Sequence, residues 1–181
     1  MKKITAGEIM VPLDMYPHVN HKATISEVLD TMEHWQIDHQ GRKSLPRTVL
    51  VFDDIHQLVG YIRRRNILRA LEPRFLSDTS MKYRQGEISM APDPNLAEIL
   101  YEKIVHRIKE RSRAPIIEVM EPVVMWINYE DHLAKAILEI VTHDVSFLPV
   151  VQNKRVVGVI RTVDVLTAVR GLLAESEANG E

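Results

Sequence analysis

Apolar positions along the chain recur with two periods, helical and alternating, and the two periods follow one another in the same order twice. Ile25, Val28, Leu29 and Met32 are spaced for one face of a helix. The stretch TISE (24–27) ahead of them has the form of a capping box, with Thr24 as N-cap and Glu27 reaching back. Leu133, Ala136, Ile137, Ile140 and Val141 predict a matching helix later in the chain. Two β-rich runs follow each helix, TVLVF and LVGYI in one case, SFLPVV and RVVGVI in the other. Their short polar connections, DDIHQ and QNK, suit hairpins. A second helix closes each series: Ile67, Leu68 and Leu71 mark one, Val165, Leu166, Val169 and Leu172 the other.

The likeness extends to residues. EIMVPLDMY (8–16) pairs with EVMEPVVMW (118–126), so Glu8, Met10, Pro12 and Met15 fall on Glu118, Met120, Pro122 and Met125, and Tyr16 on Trp126. LVGYIRRRNILRAL pairs with VVGVIRTVDVLTAV, which places an arginine three residues after a glycine both times, at Arg63 and Arg161. Proline keeps the segment after each Met-x-Pro out of a helix, giving a short extended piece. The unit is β-α-β-β-α, twice, so the fold class is α+β. One such unit has too little apolar surface to stand alone, and two packed together would share an interior. The expected organisation is a first repeat over 1–71, a connecting segment over 72–112 and a second repeat over 113–173. Within the connection, 80–94 reads as loop, and Leu96, Ile99, Leu100, Ile104 and Ile108 predict an amphipathic helix over about 95–111. The first copy carries extra residues, mostly QIDHQGRKSLPR (36–47), which read as a polar loop. The acidic end AESEANGE (174–181) reads as a flexible tail. The aromatic counterparts Tyr16 and Trp126 are expected to pack near the seam between halves, and the four paired methionines to lie in the core.

Composition narrows the function. Apolar residues make up 45% and charged ones 27% of the 181 residues, ordinary values for a globular protein. A net charge of −2 offers nothing global to nucleic acid or an anionic membrane, and RRR (63–65) reads by default as a solvated face. The absence of cysteine excludes disulfides, thiolate metal sites and a cysteine nucleophile, and it fits a reducing cytoplasm. Neither a signal peptide nor a bilayer-length apolar run is present. A nucleophile elbow, a P-loop, HExxH and paired carboxylates are all missing, so no enzyme is expected. The histidine pairs His18 and His21, and His34 and His39, lack a metal-binding spacing and read as surface residues.

Two β-α-β-β-α copies, each opening on (I/V)M-x-P and closing on (V/L)VG-x-I followed by (D/N)-(I/V)-L, resemble a CBS-domain pair over residues 4–71 and 113–173. The resemblance implies two symmetry-related clefts, frequent homodimerisation, and regulation of an associated protein by an adenine-containing ligand: AMP, ADP, ATP or S-adenosylmethionine. Its ligand motif, a glycine, two apolar residues, Thr or Ser, two variable residues and Asp, maps onto Gly158 through Thr162 to Asp164. In the first copy it maps onto Gly60 through Arg63 to Asn66. Asp164 is thus kept where Asn66 replaces it, and arginine stands at both hydroxyl positions. Carried over, Asp164 would face Thr5, Met10 and Thr48, and Asn66 would face Ile116, Met120 and Ser146.

A carboxylate at a strand-to-helix turn suits a ribose diol, and Arg161 and Arg63 suit a phosphate. The plain alternative is structural: Asp164 in a first helical turn favours the dipole, and Thr162 serves as N-cap. The expected function is therefore a cytoplasmic, homodimeric CBS-pair sensor that binds an adenine nucleotide and regulates an unidentified partner in trans. No cofactor, nucleic acid or membrane insertion is expected. The alternative is a ligand-free dimerisation or interaction module.

Overall fold

The computed structural model describes residues 3–71 and 94–178. The expected loop at 80–94 falls, apart from Pro94, outside the described residues, as do the last three residues of the expected tail. Both copies of the unit form. In the first half, α2 (Ile25–His34) is followed by β5 (Thr48–Phe52), β6 (Leu58–Arg63) and α3 (Arg64–Leu71). In the second, α5 (Leu133–Thr142) leads to β8 (Phe147–Gln152), β9 (Arg155–Arg161) and α6 (Thr162–Ala178). The capping box at Thr24 is present: Glu27 N–H donates to the Thr24 hydroxyl, and Thr24 N–H donates to the Glu27 carboxylate at 2.6 Å. The connecting helix, α4, runs Pro94–Ser112. Helix α6 continues through Ala178, well into the stretch read as tail.

The sheets explain why neither half is complete alone. β2 (His18–Asn20) lies parallel to β5, and β5 antiparallel to β6, giving the order β2-β5-β6. The other sheet has the order β1-β9-β8-β7, where β7 is Ile127–Asn128 and β1 is Val11–Pro12 from the opposite end of the chain. Val11 pairs with Val159, and Pro12 with Gly158. The first copy's opening segment thus completes the second copy's sheet. The exchange is mutual, since Glu121 bridges to Tyr61 on β6 through two backbone hydrogen bonds of 2.9 Å. Ile116 from the second opening segment is fully buried against Ile25, Val49 and Ile62 of the first half. Ala6 and Ile9 of helix α1 (Ala6–Ile9) are buried against Leu133, Leu148 and Ile160 of the second. A third cluster lies on the seam itself, with Val11, Tyr16, Ile37, Leu50 and Phe52 meeting Phe147 and Val159. The interior expected from the repeat is therefore shared.

Crossing the halves also accounts for the paired glycines and methionines. A Cβ on Gly60 would sit 2.8 Å from the Glu121 carbonyl and 3.0 Å from Met120 Sδ. On Gly158 it would sit 2.6 Å from the Val11 carbonyl and 2.5 Å from Met10 Sδ. Each glycine is the floor on which the other half's Met-x-Pro segment lies.

Three expectations change. Residues 36–47 are not a polar loop: β3 (Ile37–His39) and β4 (Arg42–Ser44) form a hairpin, with Asp38 opposite Lys43. Gln40 (φ 51°) and Gly41 (φ 73°) supply its turn, a left-handed pair that suits two-residue hairpins. Ile37 anchors the hairpin in the seam, and Arg42 Nη1 donates to Thr167 Oγ1 of α6 at 2.8 Å. Trp126 lies at the seam but is not packed into it. It shares a cleft wall with Ile55, His56, Gln57 and Leu58 of the first half and is 57% exposed, whereas its counterpart Tyr16, packed with Ile37 of the hairpin, is 2% exposed. Several positions assigned to buried helical stripes face outward, namely Leu29, Leu68, Ile108, Ile137, Val141 and Leu166, and Met15 is also exposed.

Candidate functional site

Each half turns from its last strand into its last helix at an arginine, and the backbone there dictates the first task of the motif residues. Helix α6 begins at Thr162, so Arg161 and not Thr162 is the residue before its first turn. Asp164 Oδ2 accepts from Arg161 N–H at 2.9 Å. In the first half, Asn66 Oδ1 accepts from Arg63 N–H at the same distance. Both side chains satisfy a backbone donor that a helix N-terminus leaves free. An asparagine oxygen performs that task as well as a carboxylate does, so the replacement at Asn66 keeps the turn intact.

Beyond this shared cap the two turns differ. Asp164 also holds the guanidinium of its own half: Arg161 Nε donates to Oδ2 at 2.8 Å and Nη2 to Oδ1 at 2.6 Å. The pair is bidentate and shielded, with the Arg161 side chain 15% and the Asp164 side chain 5% exposed. Arg161 Nη1 donates onward to Ser44 Oγ of the hairpin at 3.0 Å. Tyr16 closes the neighbouring space, close to Thr48, Arg161 and Asp164. Burial pushes the Tyr16 phenol well above its ordinary range, with Arg161 opposing that rise and Asp164 adding to it. The remaining cleft, lined by Tyr16, Ile37, Ser44, Thr48, Arg161 and Thr162 among others, measures about 170 Å³. Small-ligand pockets run from roughly 300 to 1,000 Å³.

In the first half the carboxylate comes from elsewhere. Asn66 cannot neutralise Arg63, and Glu121, from the second half's opening segment, does so. Arg63 Nη2 donates to Glu121 Oε1 at 2.6 Å and also to Oε2. Asn66 Nδ2 donates to Oε1 at 2.7 Å, and the Tyr61 hydroxyl to Oε2 at 2.8 Å. Arg63 lies over the Tyr61 ring at 5.7 Å from its centroid. These donors, the Arg63 guanidinium first, hold the Glu121 carboxyl down at about 2. Beside this network is a cleft of about 350 Å³, walled by Tyr61, Arg63, Met125, His143, Ser146 and Phe147 among others. Tyr61 and Phe147 meet there edge to face at 4.9 Å.

The site residues named from the sequence thus separate. Arg161, Thr162 and Thr48 wall the smaller cleft, with Asp164 bonded to Arg161 away from its wall. Arg63 and Ser146 wall the larger, with Asn66 bonded to Glu121 away from its wall. Ser146 lies on the wall of both. Thr5 and Met10 lie outside the smaller cleft's wall. Thr5 precedes α1, bridges His132 and donates its N–H to Glu8, while Met10 lies on Gly158. Ile116 is core, and Met120 covers Gly60. Glu121, Tyr61 and Ser44 were missed. One signal for Glu121 was available: the repeat sets it opposite Val11, so a carboxylate appears on one strand of the first site just where another disappears from its helix.

The depressed carboxyl has a consequence for acid stability. Glu121 binds its proton less readily folded than unfolded, so its contribution is complete above about pH 4.5 and drains away as pH falls toward 2. The urea midpoints of wild type and E121Q should therefore differ by a constant amount above about pH 4.5 and converge below it. A gap that persists unchanged into strong acid would contradict the network.

Two exchanged opening segments, a shared seam and two clefts headed by arginine define a tandem-repeat module with paired internal sites. The chain belongs to the CBS domain family, which matches residues 6–73 and 116–171. None of the curated proteins matches it in sequence. Among solved structures it is similar to AcuB from Vibrio cholerae, with a TM-score of 0.64 and 20% identity over 99% of each chain. It is also similar to the CBS-pair protein CBSX2 from Arabidopsis thaliana, with a TM-score of 0.64 and 14% identity over 96% of this chain and 99% of that one. CBSX2 in complex with AMP gives a TM-score of 0.60 and 15% identity over 93% and 98% of the respective chains. At these identities the likeness is one of fold. Among the described residues, no helix is long and apolar enough to cross a membrane.

Proposed function

We propose that this CBS pair is a regulatory module that binds an adenine nucleotide in the cleft at Arg63 and conveys its occupancy to a separate partner protein. The observation that carries this reading is the asymmetry of the clefts. The one at Arg63 measures about 350 Å³ and lies open between the halves, while the one at Arg161 measures about 170 Å³ and is walled in by Tyr16 and the hairpin. The larger cleft offers an aromatic and methionine wall for a base, and Ser146 and Arg63 for hydroxyl and phosphate groups. The similarity to CBSX2, which is solved with AMP, supports the choice of ligand class. A ligand there touches both halves, so it biases how they sit together. Asp164, on this reading, is structural.

A thermal-shift series with AMP, ADP and ATP tests it. The best ligand should raise the melting temperature, by the equivalent of about 2.7 kcal/mol at a hundred times its Kd. Arg63→Ala should remove most of that rise. No shift with any of the three nucleotides would end the proposal. In that event the second reading, a homodimeric interaction module, gains from the exposed Ile137, Leu138 and Val141 on α5 and Leu166 and Leu173 on α6. Light scattering on the nucleotide-free protein would then report a dimer.

A further inference from the structure

The guanidinium that would receive a phosphate in the larger cleft already holds an anion, and that anion belongs to the opposite half. We propose that Glu121 is a built-in competitor for the ligand's phosphate: with Glu121 on Arg63 the anion position is taken, and a bound phosphate displaces the carboxylate and breaks a contact that spans the seam. The inference rests on the nucleotide reading of that cleft and adds a mechanism for its regulation.

Four observations converge on it. Among the described residues, the side chains that donate to the Glu121 carboxylate, Arg63, Asn66 and Tyr61, come from the first half, at 2.5–2.8 Å. The carboxylate is therefore cradled much as a guest oxyanion would be. It remains ionised far below neutrality, so the competitor is always charged in solution near pH 7. The pair is open to solvent, with the side chains of Arg63 44% and Glu121 28% exposed, whereas Arg161 and Asp164 are 15% and 5% exposed. Finally, the arrangement is specific to one half. Val11, the counterpart of Glu121, is fully buried, and Arg161 is neutralised by a residue three positions along its own chain. Of the two arginine–carboxylate pairs, that of Arg63 joins residues of opposite halves, so exchanging its anion for another alters how the halves are joined. Asn66 makes this possible. An aspartate at that position would claim Arg63 as Asp164 claims Arg161, and would repel Glu121.

Isothermal titration of wild type and E121Q with AMP and with pyrophosphate, at one ionic strength, tests the proposal. Glutamine keeps the shape of the side chain and removes the charge that competes. E121Q should bind both probes about tenfold more tightly, the scale expected when a charge-assisted pair no longer has to be broken. If wild type and E121Q bind AMP equally, or E121Q binds it more weakly, the competitor role is overturned while the nucleotide site stands. If neither protein binds AMP or pyrophosphate, both readings fall together. Should E121Q fail to fold, amide exchange in the wild-type protein decides: the Tyr61 and Glu121 N–H groups, bonded to each other's carbonyls, should exchange faster with AMP bound. Unchanged or slower exchange would overturn the inference.

Discussion

Gly158→Val is expected to destabilise the protein by about 3 kcal/mol or more, at the upper end of what overpacking costs. The added atoms enter a space where even a Cβ would lie 2.6 Å from the Val11 carbonyl and 2.5 Å from Met10 Sδ. A methionine tip can swing aside, but the carbonyl belongs to the backbone of β1 and cannot move without breaking the Val11–Val159 pairing. The substitution therefore pushes the first copy's opening segment off the second copy's sheet and uncovers Ala6, Ile9 and Val11 together. Urea denaturation followed by circular dichroism would measure the loss. A cost below about 1 kcal/mol would mean that β1 is not held on the glycine. Gly60→Val should behave alike, because the Glu121 carbonyl occupies the same place over Gly60.

Asp164→Ala is expected to cost about 3 kcal/mol, since removing one partner of a shielded ion pair leaves the other without compensation. Arg161 would keep its bond to Ser44 but lose its contacts to both carboxylate oxygens, and its backbone N–H would lose an acceptor. Replacing both partners with apolar residues of similar volume, Arg161→Met with Asp164→Leu, should recover much of the loss, because the penalty lies in the orphaned charge. A single substitution that leaves the unfolding midpoint unchanged would show that the pair is held open to water. The same variant also separates structure from recognition. If nucleotide affinity survives in folded Asp164→Ala protein, the carboxylate works for the fold and not for the ligand.

The repeated architecture was legible because two periodicities recurred in one order, and because Met-x-Pro and the glycine motif marked the same points in both copies. Those residues turned out to touch: Met10 lies on Gly158 and Met120 on Gly60, so the repetition recorded a physical contact. The hairpin at Ile37–Ser44 was illegible for a different reason. Its inward residue, Ile37, is one apolar side chain among polar neighbours, too little alternation to mark a strand pair. Trp126 reaches the seam as its alignment with Tyr16 suggests but is far less buried, since Tyr16 packs with Ile37 of an insertion that one copy carries. The site was half legible. Arg63 and Asn66 were visible as departures from a motif, yet their partner Glu121 is far away in sequence, and charge compensation across such a distance leaves no local periodicity.

The pairing of Val11 with Val159 bears on how the molecule is made. During synthesis these early residues leave the ribosome long before the strand that will receive them exists. Until β9 emerges they have no native neighbour in that sheet, so the apolar face of Ala6, Ile9 and Val11 must wait in water or in the care of a chaperone. Closing so long a loop is also slow, which makes the final joining of first and last segments the natural bottleneck of folding.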